Sequence, residues 1–388
     1  MNPRSLAMKF DFPTSWRHGR GLAAESGAIL KNLGCKKTLL LTDKWLADSG
    51  VVRPVVTSLD RSNTAYLLRD DVTQEPTVSF FENLAENLDL GDFDSILAVG
   101  GGSVIDVAKG LAVIAQFGGH IRDYGGIDRI PEPLSRKIVT VPTTSGTGSE
   151  ISDGCVFIDE KSKSKFLVLS TRICPAVAIT DPEMTKSMPP AITANSGVDA
   201  LTHAMESYLS RDASVASELF SIRAVGLIGS GLKRAYHQGE DMDARETVQL
   251  GSTMAMIAGM NAHMGLCHAM VMPLCALYHI PHGQACGMVL PQVLAYNEEV
   301  RNEKVVDIFK AMGFMEGSGV PEKGLAGPYQ KLRSLLGEIG ISARLSDFGF
   351  SPDHMQILVH ETLNSVQCQF NPRSPTEEDI AGIVNGII

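Results

Sequence analysis

Aromatic residues and basic clusters are scarce in this sequence. Only 6% of its 388 residues are aromatic, and its formal net charge is −10. Proteins that bind nucleic acid or anionic membranes usually present clustered Lys and Arg, so we expect neither kind of partner here. The first ten residues also lack the apolar core of a secretory signal peptide, and we therefore expect a cytoplasmic protein.

Cysteines are present, but no C-x-x-C pair occurs among them. Their number, seven, is odd, which indicates free thiols in a reducing compartment and argues against a disulfide framework. Cys267 stands directly before His268, where a thiol could serve as a metal ligand or a nucleophile. A small buried core residue is the interpretation that we favour for it.

Charged residues are missing from one long stretch, residues 247–297. An uncharged segment of this length is expected to be buried. Pro273, Pro281 and Gly283 interrupt it, so that no clean run of about 20 apolar residues remains for a membrane span. The stretch therefore predicts the buried core of a soluble domain. A histidine buried there needs a partner, and a metal ion is one such partner.

The first half of the chain alternates short apolar runs with helix-length segments. This alternation predicts βαβ units that form a parallel sheet covered on both faces. Four of the five runs are followed directly by Asp, Gly, Pro or Thr, which are residues typical of strand ends, and the run 65–68 reaches Asp70 after one arginine. The expected strands are residues 38–42, 65–68, 95–99, 138–141 and 177–179.

The second half of the chain shows no convincing strand. From Thr193 onward, apolar residues recur at spacings of three and four, which is typical of helices. The expected helices lie near residues 193–209, 213–236, 244–261, 284–296, 325–339 and 376–386. We therefore predict an α/β dinucleotide-binding domain in residues 1–182 and an all-helical metal and substrate domain in residues 183–388.

The standard dinucleotide fingerprint G-x-G-x-x-G is absent. Instead, the glycines from Gly100 to Gly102 follow one strand and open a helix, whose free N–H groups and dipole favour a phosphate. Such a run also fits a plain tight turn. A second cluster of glycines and hydroxyl residues, at 142–150, follows another strand. Two such loops at the carboxyl ends of parallel strands predict a nucleotide site at that edge of the sheet.

Asp43 stands at the end of the first strong strand. A carboxylate there can accept hydrogen bonds from both ribose hydroxyls of an adenosine, and it would repel a 2′-phosphate. This position favours NAD over NADP. The alternative role for Asp43 is a helix N-cap for the segment that follows.

Asp199 and His203 are four residues apart in a predicted helix, which places both side chains on one face, one turn apart. His268 and His282 lie in the uncharged stretch. Together the four side chains could bind one cation, although each alone also fits a surface pair or a hydrogen-bonded core residue.

Two further histidines, His263 and His279, lie in the same uncharged stretch. Residue type alone therefore does not decide which histidines bind a metal. His263 and His279 are also the candidates for a catalytic role beyond that of the metal.

Taken together, these motifs resemble the iron-dependent (group III) alcohol dehydrogenase family over essentially the whole chain and in the family's order. Each motif alone is weak, and their combination is specific. The resemblance is carried by Leu41-Thr42-Asp43-Lys44 and Ile280-Pro281-His282-Gly283, by Asn371-Pro372-Arg373, and by residues 100–106, 142–150, 178–183 and 197–204. It implies a dehydroquinate synthase-like architecture and a homodimer.

The resemblance also implies roles for particular residues. The ligands of a divalent metal, usually Fe²⁺ and sometimes Zn²⁺, would be Asp199, His203, His268 and His282. NAD would be bound by Asp43 at the ribose, by Gly101, Gly102, Ser103 and Asp106 on the pyrophosphate and nicotinamide side, by Thr143, Thr144 and Thr147 in the second loop, and by Lys165. For Lys165, which ends a charge-rich run, a solvated loop is the alternative.

Around His268 the chain departs from the pattern of the family it resembles. Gly259 replaces a large aromatic residue that usually borders the substrate, and His263 replaces a glycine. Met272 replaces a histidine that is often invoked in proton transfer. The departures predict space for substrates larger than ethanol, and they put the family's proton path in doubt.

These motifs predict a metal-dependent enzyme that transfers hydride between NAD(H) and a small alcohol/aldehyde or ketone pair, with the substrate oxygen at the metal. Two alternatives remain open at this stage. One is a lyase resembling 3-dehydroquinate synthase, which uses NAD only transiently. The other is a non-catalytic nucleotide-binding protein on the same fold. Net conversion of NAD to NADH would separate the dehydrogenase from the lyase.

Overall fold

The computed structural model describes residues 8–161, 164–317 and 324–388. Within these ranges the chain forms two compact units, residues 13–188 and residues 8–12 together with 189–388. The division follows Met188, whereas the sequence placed a boundary after Pro182. The first unit extends beyond Pro182 because the short 3₁₀ turn Pro182–Thr185 buries Met184 in the core of that unit.

The first unit is built on a six-stranded parallel sheet. The strands of its described part are β1 (Ser15–His18), β2 (Lys37–Leu41), β3 (Ala65–Arg69), β4 (Ser95–Gly100), β5 (Gly126–Ile127), β6 (Lys137–Pro142), β7 (Gly154–Asp159), β8 (Ser164–Leu169) and β9 (Val177–Thr180). The large sheet has the order β1-β9-β6-β4-β2-β3, with every pair parallel. A smaller sheet has the order β5-β8-β7.

Helices cover both faces of the large sheet. They are α1 (Ser26–Asn32), α2 (Lys44–Ser49), α3 (Arg53–Ser62), α4 (Val78–Glu86) and α5 (Gly102–Phe117). Successive residues of a strand point to opposite faces. In β2, Leu39 packs with Leu111 of α5 in one core, and Leu40 packs with Leu59 of α3 in the other. All four side chains are buried, and each contributes about 1.5–3 kcal/mol. The predicted α/β class is confirmed.

The five strands expected from the sequence are present as β2, β3, β4, β6 and β9. Three further strands of ordinary length, β1, β7 and β8, were not predicted. β1 lies at the edge of the large sheet and is partly exposed along its length, so no apolar run marks it. β7 and β8 form an antiparallel pair, and only alternate residues of β7 are buried.

The described part of the second unit is helical, as the sequence predicted. Its helices are α6 (Pro190–Leu209), α7 (Val215–His237), α8 (Met242–Ala262), α9 (Leu266–Tyr278), α10 (His282–Ala311), α11 (Ala326–Glu338), α12 (Met355–Leu363) and α13 (Glu377–Asn385). α6 packs against α7, α8 and α10 and is buried from Gly197 to Leu209. The segment 8–12 joins this unit, and the Asp11 backbone N–H donates to Asn261 Oδ1 at 2.7 Å.

Two of these helices, α9 and α12, were not predicted. α9 is apolar on nearly all sides and contains Pro273 in its interior, so its sequence lacks the periodicity of an amphipathic helix. Among the described residues, α7 is the only individual helix that is long enough and apolar enough to cross a bilayer. Its Ser221 hydroxyl pairs with that of Ser207 in α6 at 3.0 Å, so α7 also forms a buried polar contact of a helix bundle. α8 and α9 pass the same length and hydropathy criteria only when the two helices are counted together as one segment, and that segment is bent by 106°.

Candidate metal centre and cofactor loops

Three helices of the second unit supply the predicted metal ligands. Asp199 and His203 lie one turn apart on α6, and both are buried because α6 is enclosed by its neighbours. His268 lies in the first turn of α9 and is also buried. His282 is the first residue of α10, and its side chain remains 27% exposed. The site is therefore accessible from the His282 side.

The start of α10 lies unusually close to α6. A Cβ atom at Gly283 would lie 1.8 Å from the backbone oxygen of Asn195, a distance that no side chain can occupy. Gly283 therefore allows α10 to begin against α6, which brings His282 to Asp199. This contact explains why a glycine directly follows the histidine.

One carboxylate oxygen, Asp199 Oδ1, lies at nearly the same distance from a nitrogen of each of the three imidazoles. Asp199 Oδ1 is 3.5 Å from His203 Nε2, 3.5 Å from His268 Nε2 and 3.4 Å from His282 Nε2. These distances are long for hydrogen bonds. Two ligand atoms that share one tetrahedral ion at about 2.0–2.1 Å are separated by about 3.4 Å. The spacing is thus that of donors arranged around a common cation.

An unsatisfied nitrogen atom supports the same interpretation. Among the described residues, His268 Nε2 is one of the buried side-chain atoms without a hydrogen-bond partner. A buried polar atom without a partner costs about 1–3 kcal/mol. The His268 lone pair faces Asp199 Oδ1, so an ion between them would satisfy it. The donor set of three imidazoles and one carboxylate fits a divalent transition metal.

The four side chains influence one another's protonation. Burial by itself would raise the pKa of the Asp199 carboxyl, but the adjacent His203 and His282 outweigh it and hold that pKa well below its ordinary value. Burial lowers the pKa of His203 to about 4, against the opposing effect of Asp199. At neutral pH, Asp199 is therefore ionised and His203 is neutral. Against burial, Cys286 and Asp199 raise the pKa of His268 well above its ordinary value and that of His282 to about 9, so a metal must displace a proton from each of these two rings.

Glu206 is a site residue that the sequence analysis missed. Its Oε2 accepts from the Nδ1–H of His268 at 2.6 Å, and its Oε1 accepts from the backbone N–H of Cys267 at 2.6 Å. The carboxylate is buried at the N-terminus of α9, where the helix dipole favours it. Because Nδ1 donates to Glu206, Nε2 is the nitrogen of His268 that is left to bind a metal, and it faces Asp199 Oδ1.

A sequence signal for Glu206 existed. α6 contains only two charged residues, Asp199 and Glu206, and they are seven residues apart, which places them on the same helix face as His203. The pairing of Glu206 with His268 could not be predicted from this spacing, because the helix that carries His268, α9, was not predicted.

The two other candidate histidines lie outside this cluster. His263 follows the last residue of α8 with a φ of 63°, is exposed, and packs at a tilt against Phe370 with ring centroids 4.2 Å apart. Its Nε2 faces Asp212 Oδ2 at 3.8 Å. His279 ends α9 in a left-handed conformation and is exposed. In the described structure, neither shares the ring contacts and short distances that join the four ligand candidates.

In the first unit, the expected cofactor loops follow neighbouring strands. β4 lies between β2 and β6, so the segments after these three strands meet at one edge of the sheet. β3 lies on one side of β2 and β4 on the other, so the direction of winding reverses there. Open α/β sheets bind their ligands at such a reversal. The residues after β2, β4 and β6 include Asp43, Gly101 and Thr143.

The two loops pack against each other through their glycines. A Cβ at Gly101 would lie 3.4 Å from Thr144 Cγ2, and one at Gly102 would lie 2.9 Å from Thr147 Oγ1. Gly101 is the N-cap residue of α5 and offers no side chain to cap its N–H groups. Ser103 lies on the first turn, where its hydroxyl accepts from the backbone N–H of Glu75 at 3.1 Å.

Asp106 connects the first loop to the second and to the smaller sheet. It accepts from the Ser149 hydroxyl at 2.5 Å and from the Val156 backbone N–H at 3.1 Å. Burial raises the pKa of Asp106, although the ammonium groups of Lys109 and Lys165 and these hydrogen bonds oppose it. Lys165 lies on β8 rather than in a loop.

Asp43 caps a helix. Its Oδ1 accepts from the backbone N–H of Leu46 at 2.9 Å, and this bond caps α2. The alternative role proposed from the sequence is therefore present. A capping carboxylate has a second oxygen, so the cap leaves Asp43 able to accept from a ribose.

The space expected at Gly259 is filled from within the chain. A Cβ at Gly259 would lie 2.5 Å from Met264 Cε and 3.3 Å from its sulfur atom. The end of a flexible methionine side chain thus takes part of the volume that an aromatic residue would occupy. Met272 is partly buried on α9.

Comparisons with known proteins agree with this architecture. The model of the iron-containing alcohol dehydrogenase family matches residues 13–182, and the model of the C-terminal part of the Fe-containing alcohol dehydrogenase family matches residues 193–388. The lactaldehyde reductase of Escherichia coli strain K12 is 34% identical over 371 residues, which cover 95% of this chain and 96% of the reductase.

Solved structures give the same result. A 1,3-propanediol oxidoreductase matches with a TM-score of 0.93 at 33% identity, over 98% of this chain and 100% of that protein. The sulfoacetaldehyde reductase from Bifidobacterium kashiwanohense, solved in complex with NAD⁺, matches with a TM-score of 0.88 at 27% identity, over 98% of each chain. These relatives do not favour the lyase or the non-catalytic alternative. The chain belongs to the iron-containing alcohol dehydrogenase family and is a metal-dependent, NAD-linked alcohol/aldehyde oxidoreductase.

Proposed function

We propose that Asp199, His203, His268 and His282 hold the divalent metal of this oxidoreductase. The observation that carries the proposal is the common 3.4–3.5 Å separation of Asp199 Oδ1 from the three Nε2 atoms. A bound metal supplies Lewis-acid polarisation of the substrate oxygen, which favours loss of hydride from an alcohol and its addition to an aldehyde.

The protein's own residues prepare this site. Glu206 holds the proton of His268 on Nδ1 and fixes the orientation of the ring. Burial keeps His203 neutral and excludes water from that side of the cluster. The partial exposure of His282 leaves one side open, where a substrate oxygen can enter.

The native metal is proposed to be Fe²⁺, as in the family to which the chain belongs. Three nitrogens and one oxygen also suit Zn²⁺, whose intrinsic affinity for such a site is higher. The metal found in the purified protein is therefore expected to depend on supply.

We propose that NAD binds at the loops after β2, β4 and β6. Asp43 would meet the ribose, and Gly101, Gly102, Ser103 and Asp106 would lie along the pyrophosphate and nicotinamide side. The second loop would contribute Thr143, Thr144 and Thr147, and Lys165 would contact the cofactor beside Asp106. The meeting of three strand ends at one edge and the packing of Gly102 against Thr147 support this arrangement.

The proposed substrate is a short alcohol or aldehyde that carries a second polar group. The relatives are named for lactaldehyde, 1,3-propanediol and sulfoacetaldehyde, each a molecule of two or three carbons with such a group. His263, which is exposed and faces Asp212, is the candidate to contact that group or to transfer a proton, and His279 is the second candidate. We further propose a cytoplasmic location, in keeping with the seven free cysteines, and a homodimer, which rests on the family resemblance alone.

The test is anaerobic reconstitution of the purified chain with Fe²⁺ or Zn²⁺, followed by a panel of alcohols and aldehydes with NAD(H). We expect about one ion per chain and net conversion of NAD to NADH, which a lyase would not give. His268→Ala should lose both metal and turnover, because the remaining ligands hold the ion weakly. His360→Ala, at an exposed histidine of α12, is the matched control and should retain both. Normal metal content and rate in His268→Ala would refute the ligand assignment.

A further inference from the structure

A thiol lies inside the metal cluster. Cys286 follows His282 by one turn on α10 and is fully buried. Its Sγ is 3.9 Å from Asp199 Oδ1. One ligand atom each from Asp199, His268, His282 and Cys286 all lie within 4.8 Å of one another. These four donors form a compact group.

The distance from sulfur to oxygen is that of two ligands of one ion. A thiolate binds Zn²⁺ at about 2.3 Å and a carboxylate oxygen at about 2.0–2.2 Å, so a tetrahedral pair is separated by about 3.6 Å. The observed 3.9 Å corresponds to a somewhat wider angle. A five-coordinate ion contains such angles. The sulfur therefore lies within reach of an ion held by Asp199, His268 and His282.

A second observation points to the same ion. His268 is 4% exposed, and its Nε2 is buried without a hydrogen-bond partner while it faces Asp199 Oδ1 at 3.5 Å. An ion that satisfies this nitrogen lies among the donors of the group that includes Cys286.

The neighbouring cysteines are placed differently. Cys275 Sγ is 3.9 Å from His282 Nδ1, which is the ring nitrogen other than the one that faces Asp199. Cys267 Sγ lies 3.7 Å from the backbone oxygen of Cys286 and is oriented to donate to it. Of these three thiols, the one that lies in the donor group is Cys286.

We propose that Cys286 Sγ is an additional ligand of the divalent metal, which rests on the metal site proposed above. The sulfur binds as the thiolate, and its proton passes to solvent when the metal enters. A soft sulfur ligand shifts the preference of the site from Fe²⁺ towards Zn²⁺ and Co²⁺. The thiolate also adds negative charge beside Asp199, which makes the bound ion a weaker Lewis acid towards substrate.

Cobalt substitution of the whole chain tests this ligand without reference to activity. Metal-free protein is titrated anaerobically with Co²⁺, and its spectrum is recorded. The weak visible bands of protein-bound Co²⁺ report occupancy, and an intense near-ultraviolet charge-transfer band reports a cobalt–thiolate bond. We expect both kinds of band in the unmodified protein. Cys286→Ser and Cys286→Ala should keep the visible bands and lose the near-ultraviolet band, whereas Cys275→Ser should keep both.

Competition between metals provides a second readout. Protein equilibrated anaerobically with Fe²⁺ and Zn²⁺ together is desalted and analysed for both elements. Cys286→Ser should raise the bound Fe²⁺/Zn²⁺ ratio by at least about tenfold, because the loss of sulfur weakens Zn²⁺ binding more than Fe²⁺ binding. Tenfold is the smallest loss of metal affinity that is typical when a contact supporting a metal ligand is removed.

Each outcome has one meaning. Visible bands without a near-ultraviolet band in the unmodified protein, or a near-ultraviolet band that survives Cys286→Ser, would overturn the sulfur ligand and leave the four-ligand site intact. Cys286 would then be only a weak hydrogen-bond donor to Asp199. Failure to bind Co²⁺ at all would overturn the metal site itself, and the sulfur ligand with it.

Discussion

The two functional regions of this chain are built by different means. The metal cluster in the helical unit depends on large polar side chains from α6, α9 and α10, held at 3.4–3.5 Å in a buried environment. The cofactor loops in the α/β unit depend on backbone and on small residues at adjacent strand ends. Substitutions near the metal should therefore act through distance and charge, and those in the loops through contact with the cofactor. The two regions should fail separately.

The largest effect is expected for Gly283→Ala. Its new Cβ would overlap the Asn195 backbone oxygen, and no rotamer change can relieve a clash with backbone. We expect α10 to move away from α6, with a cost of about 1–3 kcal/mol or more. Because His282 moves with α10, metal content should fall sharply. Urea denaturation and elemental analysis measure the two effects.

Gly382→Ala is the matched control for this substitution. Gly382 lies in α13, where a Cβ would meet nothing within 4 Å. Alanine there should be neutral or stabilising by up to about 1 kcal/mol, since glycine is unfavourable inside a helix. Equal stability and equal metal content in the two variants would show that the α6–α10 contact does not position His282.

Glu206→Gln should have the next largest effect. An amide cannot reproduce the charged hydrogen bond to His268 Nδ1, so the ring loses its fixed tautomer. Metal affinity should fall about 10–100-fold. The ratio of kcat/KM for two substrates should stay constant, because no contact of Glu206 with substrate is proposed. Competition with a metal chelator measures the affinity.

Glu218→Gln is the control for Glu206→Gln, because Glu218 forms an ion pair with Lys304 on the same unit and its side chain is 31% exposed. Such an exposed pair contributes about 0–1 kcal/mol. If both variants bind metal as tightly as the unmodified chain, Glu206 does not hold His268 in its binding orientation.

The difference between Glu206 and the predicted ligands shows what the sequence could reveal. Asp199 and His203 are one turn apart on one helix, so local spacing predicts their proximity. Glu206 and His268 are paired through the start of α9, a helix whose all-apolar sequence gives no periodic signal. The clustering of Cys286 depends on the close start of α10, which a single glycine allows. Contacts between helices are tertiary and leave no pattern within either segment.

The fold was more accessible to prediction than the site. Buried parallel strands such as β4 and β6 give continuous apolar runs, because both of their faces are covered. β1 has no such run, because it is an edge strand. Gly259 shows the same limit at the level of one residue. The glycine predicts a gap where an aromatic side chain would lie, and only the packing of Met264 in the structure shows how that gap is filled.

In the α/β unit, Asp43→Asn should change cofactor preference without changing stability. Asn caps a helix as well as Asp does, so the bond to Leu46 N–H and the melting temperature should be preserved. The negative charge that would oppose a 2′-phosphate is removed. We expect the NAD/NADP ratio of kcat/KM to fall at least tenfold, mainly through a lower KM for NADP. Steady-state kinetics and thermal denaturation are the measurements.

Asp48→Asn, at an exposed residue of α2, controls for the loss of one charge near the loop. It should leave cofactor preference unchanged. An unmodified enzyme that already uses both cofactors equally would contradict the role of Asp43. A fall in stability without a change in preference would show that Asp43 acts only as a cap.

The smallest effect is expected where Met264 fills the space beside Gly259. Met264→Ala should reopen that volume and raise kcat/KM for longer diols relative to ethanol by less than about tenfold, the low end of the discrimination that one methylene gives in an apolar site. Gly259→Ala should act in the opposite direction and weakly, since its Cβ displaces only the flexible end of Met264. Met254 lies on α8, as Gly259 does, and is partly buried, so Met254→Ala is the control for general loosening of the core. If Met264→Ala and Met254→Ala change all alcohols by the same factor, the space beside Gly259 does not select substrates.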